Sequence, residues 1–404
     1  MRVARPHAIT DLMTDSLTIL HTLPTADVFY TRYWNTRPFL VRDAIPKRVM
    51  DTLIAPNELA ALAMEETARA RLVSASDWSC RFGPFNDEDF SDKKNVAPWS
   101  LLIQNVDQFH PPTAELLRSF NFAPRWLIDD VMVSFSNKGG GIGGHVDSYH
   151  VFLVQGIGRR RWTIGDRPVT DKTFIEGLEL KILKYPVIGE SVEVYPGDVI
   201  YVPPGFCHEG ITVEDALTYS IGFLGPQTSE MLGDFGLYLS EAATSEDYFD
   251  GSDLSAGDAG FTLSAATITK FRERIEAAVK TPAFSQWLAS YLTGSTSIDP
   301  VHSSDRLDQL SPSEFAAELK AGRQIIKPTF VRFALLPSIG LIDDKSYVLG
   351  VNRHTFEISN DALPVIQALM SETRISLGNT PALADQIDLL NALYNIQALE
   401  FIEG

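Results

Sequence analysis

Apolar positions recur along this chain with two different periods, and the change of period marks its organisation. Up to about residue 125 the spacing is mixed. Asp27-Val-Phe-Tyr-Thr-Arg-Tyr-Trp34 has helical spacing, and Arg37-Pro-Phe-Leu-Val-Arg42 reads as a short strand behind a proline. Asn57–Arg71 reads as a helix that Asn57 can cap, with Leu59, Leu62 and Ala63 at helical spacing. Trp99–Val106 is a further apolar segment and Thr113–Phe120 a short helix.

From Trp126 to about Leu224 the period becomes two. Val131-Met-Val-Ser-Phe135 alternates, Gly139-Gly-Gly-Ile-Gly-Gly144 is a glycine loop, and Tyr149–Gln155 and Arg160–Ile164 are strands. Glu193–Tyr195, Val199–Val202 and Thr218–Phe223 are three more. Short strands punctuated by Pro-Gly and Gly-Asp turns predict an antiparallel barrel or jelly roll.

Beyond it the helical period returns. Thr228 opens a helix, Ser245–Gly260 is an acidic loop, and Thr267–Leu292 is two helices broken near Thr281-Pro282. Gly294–Asp305 is a Ser/Thr/Pro linker. Ser311–Leu319 is a helix with a Ser311/Glu314 capping box. Phe330–Leu335 and Tyr347–Val351 are strands, and Leu363–Met370 and Leu383–Gln397 are helices. Helices with a small hairpin predict a winged-helix-like module.

Composition narrows the class. With 404 residues, 45% hydrophobic and 21% charged, the chain is long enough for two or three domains with a sizeable core. The net charge of −18 argues against nucleic acid as the main partner. It suits a basic partner, or solubility alone. The stretch Thr228–Ser264 has no Lys or Arg and the acids Glu230, Asp234, Glu241, Glu246, Asp247, Asp250, Asp253 and Asp258. Two cysteines, Cys80 and Cys207, make no disulfide framework. Met1–Leu12 lacks the apolar run of a signal peptide, and no span crosses a membrane, so the cytoplasm is the expected compartment.

The chemistry gathers in the period-two region. His145-Val-Asp147 places an imidazole and a carboxylate two residues apart, on one face of a strand. Alone, it equally describes a surface histidine bonded to its neighbour. Pro196-Gly-Asp-Val-Ile-Tyr-Val-Pro-Pro-Gly-Phe-Cys-His208 then delivers a second histidine behind a turn–strand–turn. Two histidines and one carboxylate, with other positions open, is the facial triad of non-heme Fe(II) oxygenases. In Gly158-Arg-Arg-Arg-Trp162, alternation lets Arg160 point the opposite way from Arg159 and Arg161. Turned inward it needs an anion, such as the distal carboxylate of 2-oxoglutarate. Turned outward, the three are solvated charges on an edge strand. Cys207 is expected to pack away from His208, and His150 to be structural or substrate-facing, since strand parity opposes it to His145.

These residues resemble the cupin-type JmjC 2-oxoglutarate oxygenases, in particular the bacterial ribosomal oxygenases of the YcfD type. The resemblance runs through Trp34-Asn-Thr-Arg-Pro-Phe-Leu-Val-Arg42, Asn57-Glu-Leu-Ala60, Arg71-Leu-Val-Ser74, Trp99-Ser-Leu-Leu102 and Trp126-Leu-Ile-Asp-Asp-Val-Met-Val-Ser-Phe-Ser136. It continues through the glycine loop with His145 and Asp147, Gln155–Trp162 and Pro203–Gly210. It implies an α+β fold: a double-stranded β-helix over residues 1–227, a helical dimerisation region over 228–300 and a winged-helix-like domain over 301–404. It implies Fe(II), 2-oxoglutarate and O₂ as cofactor and cosubstrates, with His145, Asp147 and His208 as iron ligands and Arg160 and Ser134 on 2-oxoglutarate. Asp130, Met132, Tyr149 and Ser220 fall at positions resembling the substrate pocket.

The activity implied is hydroxylation at carbon 3 of an arginine in large-subunit ribosomal protein sixteen, a basic partner, by a homodimer that binds neither nucleic acid nor membrane. Histidine or methyl-lysine hydroxylation, or a non-enzymatic metal-stabilised scaffold, are the alternatives. The last helical segment, with two acids and no Lys or Arg between Asp385 and Gln397, suits packing better than nucleic-acid binding.

Overall fold

A computed structural model of the chain describes residues 17–90, 97–241, 248–294, 309–337, 346–371, 374–378 and 380–402. Met1–Leu12, residues 245–247 of the acidic loop and 295–305 of the linker lie outside the described residues. The described residues form two compact units. One runs to Pro124 and includes Ile128–Leu224; the other takes Arg125–Leu127 and Gly225 onward.

The first unit is built on eleven strands: β1 Thr18–Leu20, β2 Phe39–Val41, β3 Ala70–Ser74, β4 Cys80–Phe82, β5 Trp99–Ile103, β6 Ile128–Ser136, β7 His145–Val146, β8 His150–Pro168, β9 Gly189–Val194, β10 Val199–Val202 and β11 Phe206–Phe223. Their order is β1-β2-β10-β8-β11-β6-β5-β3-β4, with β7 added to β11 and β9 to β8. Only β1 and β2 run parallel within it.

The spine is the antiparallel pair β8 and β11, of 19 and 18 residues, far beyond the usual strand length. The pair carries register shifts at Phe206/His208 and from Thr212 to Thr218. Bulges of this kind bend strands, and the pairing divides accordingly. The first part of β8 pairs with β10 and the last part of β11 with β6. The other ends pair with β9 and β7. Two long strands therefore serve two facing sheets, the plan of a double-stranded β-helix. Leu40, Leu153 and Ile200 of one sheet pack with Trp162, Ile164 and Val194 of the other in a single apolar core.

The reading of Arg160–Ile164 and Tyr149–Gln155 as separate strands is thus corrected: both segments, apart from Tyr149 just before its start, lie in β8. The helix expected over Asn57–Arg71 is also shorter. It spans Pro56–Leu62, with Glu58 accepting the N–H of Ala55 at 2.8 Å. Arg71 lies instead in β3, where Leu72 and Val73 are buried against β5. Sheet burial overrides the helix preference of the alanines around them.

In the second unit, helices span Thr228–Glu241, Ala265–Ala278 and Pro282–Thr293, broken at Thr281-Pro282 as the sequence suggests. The Ser311/Glu314 box caps the helix Pro312–Lys320. Strands β12 Gln324–Ile326, β13 Phe333–Pro337, β14 Tyr347–Val351, β15 His354–Ile358 and β16 Glu400–Ile402 form one two-stranded and one three-stranded sheet. Helices Leu363–Met370 and Ile387–Asn395 complete the unit over a core that includes Phe315, Leu349, Ile366 and Leu390. No helix of the described residues is long and apolar enough to cross a membrane.

Candidate active site

The glycine loop ends at β7, and β7 pairs with the start of β11 so that His145 lies directly opposite His208. Gly143 takes φ +77°, a backbone that L side chains rarely adopt, and its carbonyl turns onto the His145 ring. The strand is only two residues long, and Asp147 sits just past its end. The N–H of Gly205 donates to the Asp147 carbonyl at 2.9 Å, which ties the Pro-Pro-Gly turn to this position.

The three side chains converge. Asp147 Oδ2 is 3.5 Å from His208 Nε2 and 4.0 Å from His145 Nε2, and the two rings are 4.3 Å apart. One ligand atom from each lies within 4.8 Å of the others. His145 Nδ1 is 3.0 Å from the Gly143 carbonyl, and His208 Nδ1 is 3.1 Å from the Phe206 carbonyl. A carbonyl only accepts, so each Nδ1 carries the proton and each Nε2 presents a lone pair to the shared space. Burial, reinforced by the His145 imidazole, pushes His208 down to about 4 and keeps it neutral at physiological pH, the form a metal needs. Two imidazoles and one carboxylate whose ligand atoms converge on one space fit a divalent iron.

Arg160 does point inward. It is 5% exposed, whereas Arg159 pairs with Glu193 and Glu214 and Arg161 with Glu193 at the surface. Among the described residues the hydrogen-bond partners of Arg160 are hydroxyls: Nη2 donates to Ser136 Oγ at 2.8 Å and Nη1 to Ser134 Oγ at 3.4 Å. Its Nε is buried without a hydrogen bond, and burial pulls its guanidinium down to about 10. A buried cation without a counter-ion is costly, so the pocket is built for an anion. Arg160 lies over Trp162 at 5.8 Å, and Trp162 is 5.9 Å from the His208 ring, so the two features share one interior. A carboxylate at Arg160 and a chelating keto acid at the triad fit this arrangement.

Asp130, Met132, Ser134 and Ser136 alternate along β6 and face the same way. Met132 pairs with Ser220, which pairs on its other side with the core residue Leu153. Asp130 Oδ2 accepts the N–H of Asn105 at 3.2 Å. Its Oδ1 and the Tyr149 ring both lie 3.6 Å from where a side chain on Gly222 would begin. Asp130, Met132, Tyr149 and Ser220 therefore form one continuous strip. Burial raises the Tyr149 phenol above its usual range, and Asp147 and Asp130 add to it.

His150 stays outside this site. It stacks on Trp34 at 3.5 Å and its Nδ1 is 2.7 Å from the Tyr201 hydroxyl. Cys207 is buried, with Sγ turned toward Gly165. The sequence reading missed Ser136, the closest partner of Arg160, which parity from Ser134 points to. It also missed Trp162 as the link between Arg160 and His208.

A jelly roll with this triad and an inward arginine defines a JmjC-type 2-oxoglutarate oxygenase, and residues 115–231 match the JmjC domain family. The chain is 33% identical over 389 residues, 93% of its length and 97% of the relative's, to the ribosomal protein uL16 3-hydroxylase of Escherichia coli K12. Over 214 residues, 52% of each chain, it is 37% identical to a probable ribosomal oxygenase of Haemophilus influenzae. The solved structure of E. coli YcfD matches at a TM-score of 0.78 and 31% identity over 93% of this chain and 98% of that one. YcfD in complex with cobalt and 2-oxoglutarate matches at 0.75, also at 31% identity and over the same shares. The chain belongs to the JmjC-domain ribosomal oxygenases, and it is an enzyme of the 2-oxoglutarate-dependent class. The non-enzymatic scaffold is set aside.

Proposed function

We propose that the protein hydroxylates carbon 3 of an arginine side chain in ribosomal protein uL16, with His145, Asp147 and His208 holding Fe(II) and Arg160 and Ser134 holding 2-oxoglutarate. The observation that carries this reading is Arg160, a buried guanidinium whose hydrogen-bond partners among the described residues are hydroxyls, in the same interior as the triad. When bound, iron and 2-oxoglutarate turn O₂ into an oxidant for an unactivated C–H bond, with succinate and carbon dioxide as co-products. The chain's own residues supply the rest. The Nδ1 bonds fix both histidine tautomers, Arg160 orients the cosubstrate, and the strip of β6 and β11 admits the side chain to be modified. Asp130 offers a carboxylate to a guanidinium, Tyr149 an aromatic wall, and Met132 and Ser220 the floor. A carboxylate in the strip favours a cationic side chain over neutral histidine; methyl-lysine is the cationic alternative.

The test is mass spectrometry of uL16 treated with the enzyme, Fe(II) and 2-oxoglutarate. A gain of one oxygen on an arginine is expected; no gain with both at saturation contradicts the assignment.

The enzyme is proposed to work as a homodimer in the cytoplasm. The exposed Leu232 and Leu237 on one helix, Ile268 and Ile275 on one face of another, and the fully exposed Phe261 are apolar surface of the kind a second copy would cover. Residues 228–300 would then be the dimerisation region. Residues 301–404 are proposed as a winged-helix-like packing module without a nucleic-acid role, since the helix Ile387–Asn395 carries Asp388 and no Lys or Arg.

A further inference from the structure

The hydroxyls around Arg160 have one hydrogen each to give, and the structure shows which are spoken for. Ser100 Oγ lies 3.2 Å from the Gly141 carbonyl and 2.7 Å from Ser136 Oγ. The carbonyl only accepts, so Ser100 donates to it, Ser136 donates to Ser100, and Ser136 accepts from Arg160. Ser136 therefore has no hydrogen left for an anion. Ser134 accepts from Arg160 Nη1 and keeps its own.

One more hydroxyl stands in the same place. Thr212 is 2% exposed, and its Oγ1 is buried without a hydrogen bond. It is the direct cross-strand partner of Arg160 in the β8–β11 pair, and opposed residues share a face. Two strand steps from it, a side chain on Gly210 would begin 3.0 Å from Arg160 Cδ and 2.8 Å from the Trp162 ring, so this face of β11 is the Arg160 face. The Thr212 N–H donates to the Gly140 carbonyl at 2.9 Å and its carbonyl accepts from Gly139 at 2.8 Å. A Cβ on Gly140 would lie 3.1 Å from that of Ser136. The glycine loop thus holds Thr212 alongside the Ser136–Arg160 pair. Buried hydroxyls are normally bonded, and here two neighbouring donors, Arg160 Nε and Thr212 Oγ1, are both open.

We infer that Thr212 is a cosubstrate-binding residue, its hydroxyl donating with Arg160 and Ser134 to the distal carboxylate of 2-oxoglutarate. The inference rests on the reading of Arg160 as the cosubstrate anchor. It explains why the position carries threonine where valine would fill the same space. It also assigns the hydroxyls unequal tasks: Ser136 and Ser100 brace the guanidinium, and Ser134 and Thr212 meet the anion.

The test is calorimetric titration of 2-oxoglutarate into the manganese(II)-loaded full chain under argon, where no turnover occurs, with melting of the metal-free protein alongside. Thr212→Val is expected to bind about tenfold more weakly, which is ~1.4 kcal/mol, and Thr212→Ser within about twofold of the parent. Metal-free Thr212→Val is expected to melt at or above the parent temperature, because it loses an unpaired buried hydroxyl. Unchanged affinity in Thr212→Val overturns the inference. So does equal weakening in both variants accompanied by a lower melting temperature, which marks a packing role. A parent that takes up no 2-oxoglutarate overturns the reading of Arg160 and the inference with it.

Discussion

The two ends of the jelly-roll interior are unbalanced in opposite senses. At one end a carboxylate faces two histidines whose Nδ1 atoms are tied to backbone carbonyls, a donor set suited to a cation. At the other end a guanidinium has, among the described residues, hydroxyls as its hydrogen-bond partners. Two residues that flank Arg160 show that the second imbalance is specific: Arg159 and Arg161, on the opposite face, find carboxylates at the surface. An apo protein carries both deficits as a standing cost. On the proposed reading, a metal ion at one end and a dicarboxylate reaching to the other would remove both imbalances together.

That contrast can be broken from either end. The largest effect is expected from His208→Ala, which leaves one imidazole and one carboxylate. Metal affinity should drop by well over the roughly 10–100-fold that follows loss of a mere outer-shell partner, as read by metal titration and by turnover. Arg160→Met comes next. It removes the cation but not its stem, so metal binding should survive while the KM for 2-oxoglutarate rises by about a hundredfold, on the scale of an unpaired buried charge. If metal affinity fell as the KM rose, the two ends would not be separable.

A smaller effect concerns the far side of β8. Burial holds His150 down to about 4 from an ordinary value near 6.5, between Trp34 and the Tyr201 hydroxyl. The unfolded chain takes up this proton first as pH falls. Stability is therefore full above about 6.5 and is lost down to about 4, by roughly 3 kcal/mol from this residue. Denaturant melts of metal-free His150→Phe should show a shallower acid slope than the parent. The smallest effect is expected from Arg161→Ala, which breaks a screened surface pair. Its KM for 2-oxoglutarate should stay within about twofold, and a large rise would mean that the neighbours share the work of Arg160. Hydroxylation of free uL16 should also slow as salt rises, if the −18 charge draws in a basic substrate.

Much of this was legible before the fold was known, and for local reasons. Facing in a strand depends on parity alone, so Arg160 could be separated from Arg159 and Arg161 in a run of identical residues. A histidine behind Pro-Pro-Gly could be placed because the turn leaves the backbone little choice. What stayed hidden depends on pairing between distant segments. Ser100 and Thr212 join the Arg160 cluster only because β5 and β11 lie beside β6 and β8, which no single segment records. The residues next to Arg71 in sequence favour a helix, and only the partner strand β5 decides otherwise. The short strands β12 and β16, which pair with each other from far apart in the chain, Gln324 with Ile402, escaped for the same reason.

The central claim is that the triad and the Arg160 pocket together make a 2-oxoglutarate oxygenase. The most direct measurement is succinate formed from 2-oxoglutarate in air with Fe(II), in the parent and in His145→Ala side by side. Iron-dependent succinate from the parent and none from His145→Ala is the predicted result. No succinate from the parent, or equal amounts from both, would contradict the account.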